Sequence, residues 1–409
     1  MKLFAHAHAT HPDWRVGVAL AAAQIDAQRS DPAGTHIRQP TLGWVYFSDH
    51  YAPQANALLA DLQRRWPGVA WVGAVGVGVS ANGMEYFDEP ALALMLSDLP
   101  RDQFRVFSGA RPLGQASAGF VASTAQVHAD GRTDGLPELI GEMSERTATG
   151  YLFGGLASAR SQPLHLADGV FEGGLSGVAF GPGVALVSRV TQGCQPIGPV
   201  RRVTRSERNV VTLLDGEPAL DCLLRDLGVS EREPRKALPR IRQTLVGISD
   251  GSDDALSRPG QFGADTRVRH LAGIDPARGG VALNDVAEEG MQIAFCRRDT
   301  EAARRDLVRI CSEIREEVEP EHLPIETVMA LHGADAERAP HPARQIAGAV
   351  YVSCVGRGGR HFGAPSAELA IIRRALGDVP LVGFFASGEI ARRHLYGYTG
   401  VLTVFPASP

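Results

Sequence analysis

The sequence predicts an α/β chain of mixed α+β character, folded as two pseudo-repeated sheet-and-helix lobes around a shared crevice. Three observations carry that expectation. Short apolar runs suited to buried strands alternate with stretches of helical periodicity. One strand–helix–strand phrase recurs: Gly43-Trp-Val-Tyr-Phe-Ser48 leads to Val69-Ala-Trp-Val-Gly73-Ala-Val-Gly76, and Gly348-Ala-Val-Tyr-Val-Ser353 leads to Val379-Pro-Leu-Val-Gly383-Phe-Phe-Ala-Ser-Gly388. In each copy the second strand runs into glycines, and a partial third copy reads Tyr151-Leu-Phe-Gly154-Gly-Leu-Ala-Ser158.

Taken in order, residues 16–28 are alanine-rich and favour helix. Residues 42–47 read as a strand, 51–65 as a helix with Ala55, Leu58, Leu59 and Leu62 at helical spacing, and 69–79 as a second strand. Strands are expected at 91–96, 104–107 and 119–123, then a helix at 137–145 and a strand at 151–157. Strands at 174–180 and 183–190 flank Gly181-Pro-Gly183, which suggests a hairpin. A boundary near 195–205 divides the chain into residues 1–200 and 201–409. Beyond it, strands are expected at 208–214, 268–274 and 292–296. Helices are expected at 219–227 and 300–317, the second with Thr300 as N-cap. Residues 231–240 and 250–265 look polar and irregular, and 320–342 has no strong pattern. The final module, 347–405, reads as strand, helix (367–376), strand, short helix and strand.

Bulk properties narrow the function. The chain has 409 residues, enough for two or three cores. Its net charge of −5 is spread out, with no Lys/Arg run to grip a phosphate backbone, so nucleic acid is not expected as a partner. No apolar stretch reaches the ~18 residues of a membrane span, and the first residues lack a secretory apolar core. Cys194, Cys222, Cys296, Cys311 and Cys354 are isolated and form no CxxC pair. Neither a disulfide framework nor a cysteine zinc site follows, and a bacterial-type cytoplasmic protein is expected.

Four groups of residues invite chemistry. Gly73 and Gly76 suit close backbone packing, or could offer N–H groups to a ligand together with Ser80; the spacing is not that of a dinucleotide fingerprint. Cys354 and Arg357 leave a buried strand together, and Arg357 could clamp a carboxylate bidentately. Ser387 and Glu389 end the matching strand, where Glu389 could receive an ammonium group or cap a helix, and Glu85 is its parallel in the first half. On this reading Arg357→Ala would abolish ligand-induced stabilisation and leave the empty protein's melting temperature nearly unchanged. His6-Ala-His8-Ala-Thr-His11 suggests a metal pair on one strand face, but no further ligand set accompanies it, so a solvated terminal segment is expected.

Over nearly its whole length the chain resembles a stand-alone FIST protein, an N-terminal FIST half followed by a C-terminal one. The first half rests on Val45-Tyr-Phe-Ser48-Asp-His50, Val72-Gly-Ala-Val-Gly76, Glu85, Phe153-Gly-Gly-Leu-Ala-Ser158 and Gln192-Gly-Cys-Gln-Pro-Ile-Gly198. The second rests on Pro218-Ala-Leu-Asp221, Phe295-Cys-Arg-Arg-Asp299, Val352-Ser-Cys354-Val-Gly-Arg357-Gly and Pro380-Leu-Val-Gly-Phe-Phe-Ala-Ser-Gly388-Glu389. The resemblance implies a sensory module that binds a small ligand, an amino acid or similar carboxylate, and signals in trans to a partner such as a histidine kinase. It leaves two alternatives: a haem-binding nitric oxide sensor, for which no histidine is assigned, and a thiol- or carboxylate-assisted enzyme using Cys354 and Glu389. No catalytic residue and no metal is expected.

Overall fold

Residues 42–48 are buried without exception, so this strand must be central to a sheet. The helix that follows, Ala55–Arg65, buries Ala55, Leu58, Leu59 and Leu62, one stripe at helical spacing. It returns the chain to Ala70–Gly76, which pairs parallel to Leu42–Ser48. Parallel neighbours need such a crossover, and a helix with one apolar face supplies it. The same construction occurs twice more. Thr124–Asp130, helix Leu136–Glu145 and Tyr151–Ala157 form a second parallel pair; Ile346–Cys354, helix Ala367–Leu376 and Leu381–Ala386 form a third.

The computed structural model describes residues 2–114, 119–229, 234–249, 266–319 and 346–407. They divide into two compact units. The first comprises Met1–Thr191, Arg304–Leu395 and Thr399–Pro409, and holds all three strand–helix–strand modules. The second comprises Gln192–Ala303 and Tyr396–Tyr398.

In the first unit each module founds a six-stranded sheet, and each gives strands to another. After Ala70–Gly76 the chain forms the hairpin Gly78–Ala81 and Met84–Phe87, which adds to the third module beside Leu381–Ala386. After Tyr151–Ala157, strand His165–Ala167 adds to the first module beside Ala70–Gly76. After Leu381–Ala386, strand Glu389–Arg392 adds to the second module beside Tyr151–Ala157. A return strand then pairs antiparallel with the first strand of its own module: Ala91–Ser97, Leu175–Phe180 and Thr399–Pro406 in turn. The exchange is cyclic, first to third, second to first, third to second. The two copies expected to found separate lobes therefore share one unit with the third, because each needs strands that its neighbour supplies.

The three modules are joined at their centre by buried side chains. Tyr46, His128 and Phe384, one from each module, form a triangle of ring contacts at 5.1, 5.6 and 5.9 Å. Trp44 Nε1 donates to Gln126 Oε1 at 2.7 Å, Gln126 Nε2 donates to the Tyr46 hydroxyl at 2.7 Å, and that hydroxyl lies 3.1 Å from His128 Nε2. Burial, with some repulsion from His165, pushes the His128 pKa down to about 3, so its ring is neutral.

The second unit is an antiparallel sheet closed on itself. Gln292–Arg298, Arg201–Glu207, Val210–Leu214, Gly280–Leu283, Arg267–Asp275 and Leu245–Ser249 pair in that order, and the last pairs again with the first. Closure leaves no long open edge. Helix Ala219–Leu227 packs Leu220 and Leu223 into the core with Val246, Val281 and Phe295.

Most expected elements are present, and the departures have physical reasons. The N-terminal segment is strand Ala5–Thr10 paired with Ala91–Ser97, not a solvated tail. Its Ala5 and Ala7 are buried while the histidines are half-buried, and burial holds the His6 pKa down near about 4. Residues 119–123 are not a strand; Thr124–Asp130 is. The two strands around Gly181-Pro-Gly183 belong to different sheets, and Gln103 holds the turn by accepting from Gly181 and Gly183. Residues 234–243 form a helix, Pro234–Gln243, burying Ala237 and Ile241. After Leu381–Ala386 the short helix is replaced by strands Glu389–Arg392 and His394–Tyr396. The expectations for 250–265 and 320–342 lie outside the described residues. No described helix is long and apolar enough to cross a membrane.

Gly73, Gly154 and Gly383 occupy the same register position in the three modules, opposite Val45, Val127 and Tyr351. A Cβ on each would stand 1.8, 1.9 and 1.7 Å from the facing carbonyl oxygen. Gly154→Ala should cost more than about 3 kcal/mol or abolish folding. The helical control Gly141→Ala, which meets nothing within 4 Å, should stabilise by about 1 kcal/mol or less. Urea unfolding of the two variants checks this, and equal midpoints would contradict it.

Candidate functional site

The third module carries the densest buried polar cluster singled out by the sequence. Strand Ile346–Cys354 ends in Ser353 and Cys354, and the turn Val355–Arg357 folds the Arg357 side chain inward until it is 1% exposed. Glu368, in the first turn of Ala367–Leu376, meets it there. The Glu368 carboxylate accepts from Arg357 Nε at 2.8 Å and Nη2 at 2.6 Å, from the Tyr351 hydroxyl at 2.6 Å and from Ser353 Oγ at 2.9 Å. Burial works against the Arg357 charge, but Glu368 outweighs it and holds the guanidinium protonated. Phe362 lies under the guanidinium at 5.1 Å.

Glu85 reaches the same module from the hairpin that the first module donates. Its carboxylate accepts from the Gly359 N–H and, at 3.2 Å, from the Ser366 N–H, while its own N–H donates to Ser366 Oγ at 2.9 Å. It thus ties the segment before Ala367–Leu376 to the exchanged hairpin. Burial raises its pKa, and Glu368 adds to the rise.

Glu389 opens the strand that the third module gives to the second, and it is fully buried. Thr399 donates to its Oε2 through N–H at 3.1 Å and through Oγ1 at 2.7 Å. Its Oε1 has no hydrogen-bond partner among the described residues. Burial pushes its pKa up to about 8; Thr399, Arg357 and Cys354 oppose that shift without cancelling it. At neutral pH the group is therefore mainly a protonated carboxylic acid.

Of the expected ligand residues, Cys354, Arg357 and Glu389 come together, and Glu85 joins them through the segment it holds. Ser80 is buried across the ladder from both Gly383 and Glu85. Gly73 lies mid-strand, paired on both sides, and Gly76 would place a Cβ 2.5 Å from the Gly78 carbonyl; both serve close packing. Ser387 is exposed, with Oγ donating to the Ala157 carbonyl at 3.2 Å. Sequence reading missed Glu368. Its signal was present: Glu368 shares the buried stripe of its helix with Leu369, Ile372 and Leu376, where an unpaired acid would be costly.

Comparison with known families decides the assignment. The FIST N domain model matches residues 41–217, and the FIST C domain model matches residues 219–392. The chain belongs to the FIST family. FIST domains are sensory domains of signal transduction that bind small ligands. An uncharacterised protein of Mycobacterium tuberculosis is 30% identical over 418 residues, covering 96% of this chain and 99% of its own length. Another, from Mycobacterium bovis, is 30% identical over 417 residues and covers 97% of each chain. The FIST C match crosses both compact units, since its residues 346–392 belong to the first.

The geometry changes one expectation. Arg357→Ala would leave Glu368 as an uncompensated buried charge, so the empty protein should itself lose about 3–5 kcal/mol. Chemical denaturation checks this, and an unchanged midpoint would contradict the ion pair. Glu389 gives a pH signature. An unfolded chain ionises this carboxyl near its ordinary value of 4.5, whereas the folded chain keeps the proton to about pH 8. Its stabilising contribution is full below that window and is lost as pH rises through it. Glu389→Gln should flatten the urea midpoint across the window, and an unaltered slope would show that another group titrates.

Proposed function

We propose that this FIST chain is a cytoplasmic sensor of a small ligand, an amino acid or similar small carboxylate, that signals in trans to a partner such as a histidine kinase. The observation that carries the reading is the Glu389 carboxyl: buried, proton-holding, with one oxygen unpartnered, and beside Arg357 and Cys354. A group in that state is held away from its preferred ionisation. An ammonium group brought to Oε1 would favour the carboxylate and release the proton.

The fold offers a route from such an event to the rest of the unit. Glu389 begins the strand exchanged between the third and second modules, pairing with Gly155 across the ladder. Glu85 belongs to the hairpin exchanged between the first and third. A ligand that engages both carboxyls biases two of the three exchanges, and differential affinity for two arrangements is what shifts a population. A partner that reads the exposed ends of those strands would receive the signal.

The test begins with native mass spectrometry of the purified protein, followed by calorimetry with whichever small molecule is retained. If none is retained, a thermal-shift screen of amino acids supplies the titrant. Binding at neutral pH should release about one proton, seen as a dependence of the heat on the buffer's ionisation enthalpy. Glu389→Gln should abolish that dependence. Buffer-independent heats with unchanged affinity in the variant would overturn the role of Glu389.

A further inference from the structure

The second compact unit holds a cavity of about 550 Å³ that the Glu389 cluster does not use, a volume within the range of small-molecule sites. Two paired strands make one wall. Gln195 stands directly across from Arg297, so these side chains share a face, while neighbouring Cys296 is buried. Helix Pro234–Gln243 contributes Arg240 and Gln243. Pro196, Ile197 and Leu227 supply the apolar part.

Its electrostatics favour an anion. Asp226 lines the cavity but is already neutralised: Arg201 grips it bidentately at 2.6 and 2.8 Å, with the pair 9% and 5% exposed. Gly198 permits that grip, since a Cβ there would stand 2.0 Å from Asp226 Oδ2. Arg240 and Arg297 remain, and neither forms an ion pair among the described residues. Arg240 Nη1 is tied to the Leu227 carbonyl at 3.0 Å, which fixes the side chain along the rim and leaves its other donors. The described cavity of about 300 Å³ in the first unit differs, because its arginine, Arg189, is paired with Glu313 and Glu317.

We propose that this cavity binds a small carboxylate metabolite, its charge held by Arg297 and Arg240 and its hydrocarbon part set against Pro196, Ile197 and Leu227. Planar guanidinium forks match carboxylates, and the two glutamines can orient any remaining polar group. The site is independent of Glu389 and Arg357. It draws Gln195, Pro196 and Ile197 from the FIST N match and the other residues from the FIST C match.

The probe is succinate titrated into the whole protein, with neutral succinamide and inorganic phosphate alongside. Succinate should bind and raise the melting temperature, while succinamide should not and phosphate should bind more weakly. Arg297→Gln and Arg240→Gln should each weaken succinate at least about 10-fold, the scale of one charge-assisted hydrogen-bond pair. Both arginines are exposed, so the empty variants should melt with the wild type. Arg297→Lys, which keeps charge but loses the fork, should bind at an intermediate level. Equal binding of succinamide or phosphate, no succinate binding, or succinate binding that survives both substitutions would overturn the proposal. Loss in Glu389→Gln with both arginine variants unaffected would also overturn it, by moving the carboxylate to the first site.

Discussion

Three close backbone approaches hold the first unit together. Gly73, Gly154 and Gly383 each bring a strand so near its parallel neighbour that no side chain fits between them. Gly154 also has a φ of +140°, which side chains resist. Each strand stays paired for three residues beyond its glycine and then ends, and the chain enters another sheet. The cyclic exchange then follows: every module is completed by strands from a different module, and the unit has no separable part. Ser158 marks the point where the exits meet, donating from Oγ to the Phe385 carbonyl and accepting from the Val77 N–H at 2.9 Å.

A closed exchange of this kind needs a centre that admits one arrangement only. The chain Trp44–Gln126–Tyr46–His128 supplies it, because its hydrogen bonds cross between modules and a shift of register would strand buried polar atoms. Asp49 and Arg160 repeat the device nearer the surface, joining the first and second modules through contacts at 2.6 and 2.8 Å. Arg357 and Glu368 do the same inside the third. Glu389 differs from these pairs: burial favours its protonated form, one of its oxygens has no partner among the described residues, and it opens a strand exchanged between two modules.

The sequence made the repeated modules legible because a fully apolar strand, an amphipathic helix and a second apolar strand leave a strong local pattern. It exposed two copies clearly and the third only in part, because Thr124–Asp130 carries Gln126 and His128 where the others carry Trp44 and Tyr46, or Val350 and Val352. Those polar residues are buried for reasons that lie elsewhere in the chain, and no local period reports them. The same limit hid Glu368 as the partner of Arg357. The arginine's position was readable, but its commitment to an internal acid depended on a tertiary contact. For Gly73 and Gly76 the sequence leaves close backbone packing and ligand access both open, because glycine at a strand end suits either. Only the facing carbonyls of Val45 and Gly78 decide between them.

The two family segments therefore describe sequence more than cooperative structure. Within residues 41–217, the hairpin Gly78–Ala81 and Met84–Phe87 has its main-chain partner in Leu381–Ala386, and Tyr151–Ala157 needs Glu389–Arg392. Either segment alone would expose unpaired strand edges and the buried faces behind them, a state prone to association. The ring of exchanges closes only when the last strands arrive, after the whole second unit has been made. Ordering of the first unit is thus a long-range event, and stability at each exchanged strand is shared by all three modules. A change at any one exchanged strand, Glu389–Arg392 included, therefore acts on a cooperative whole.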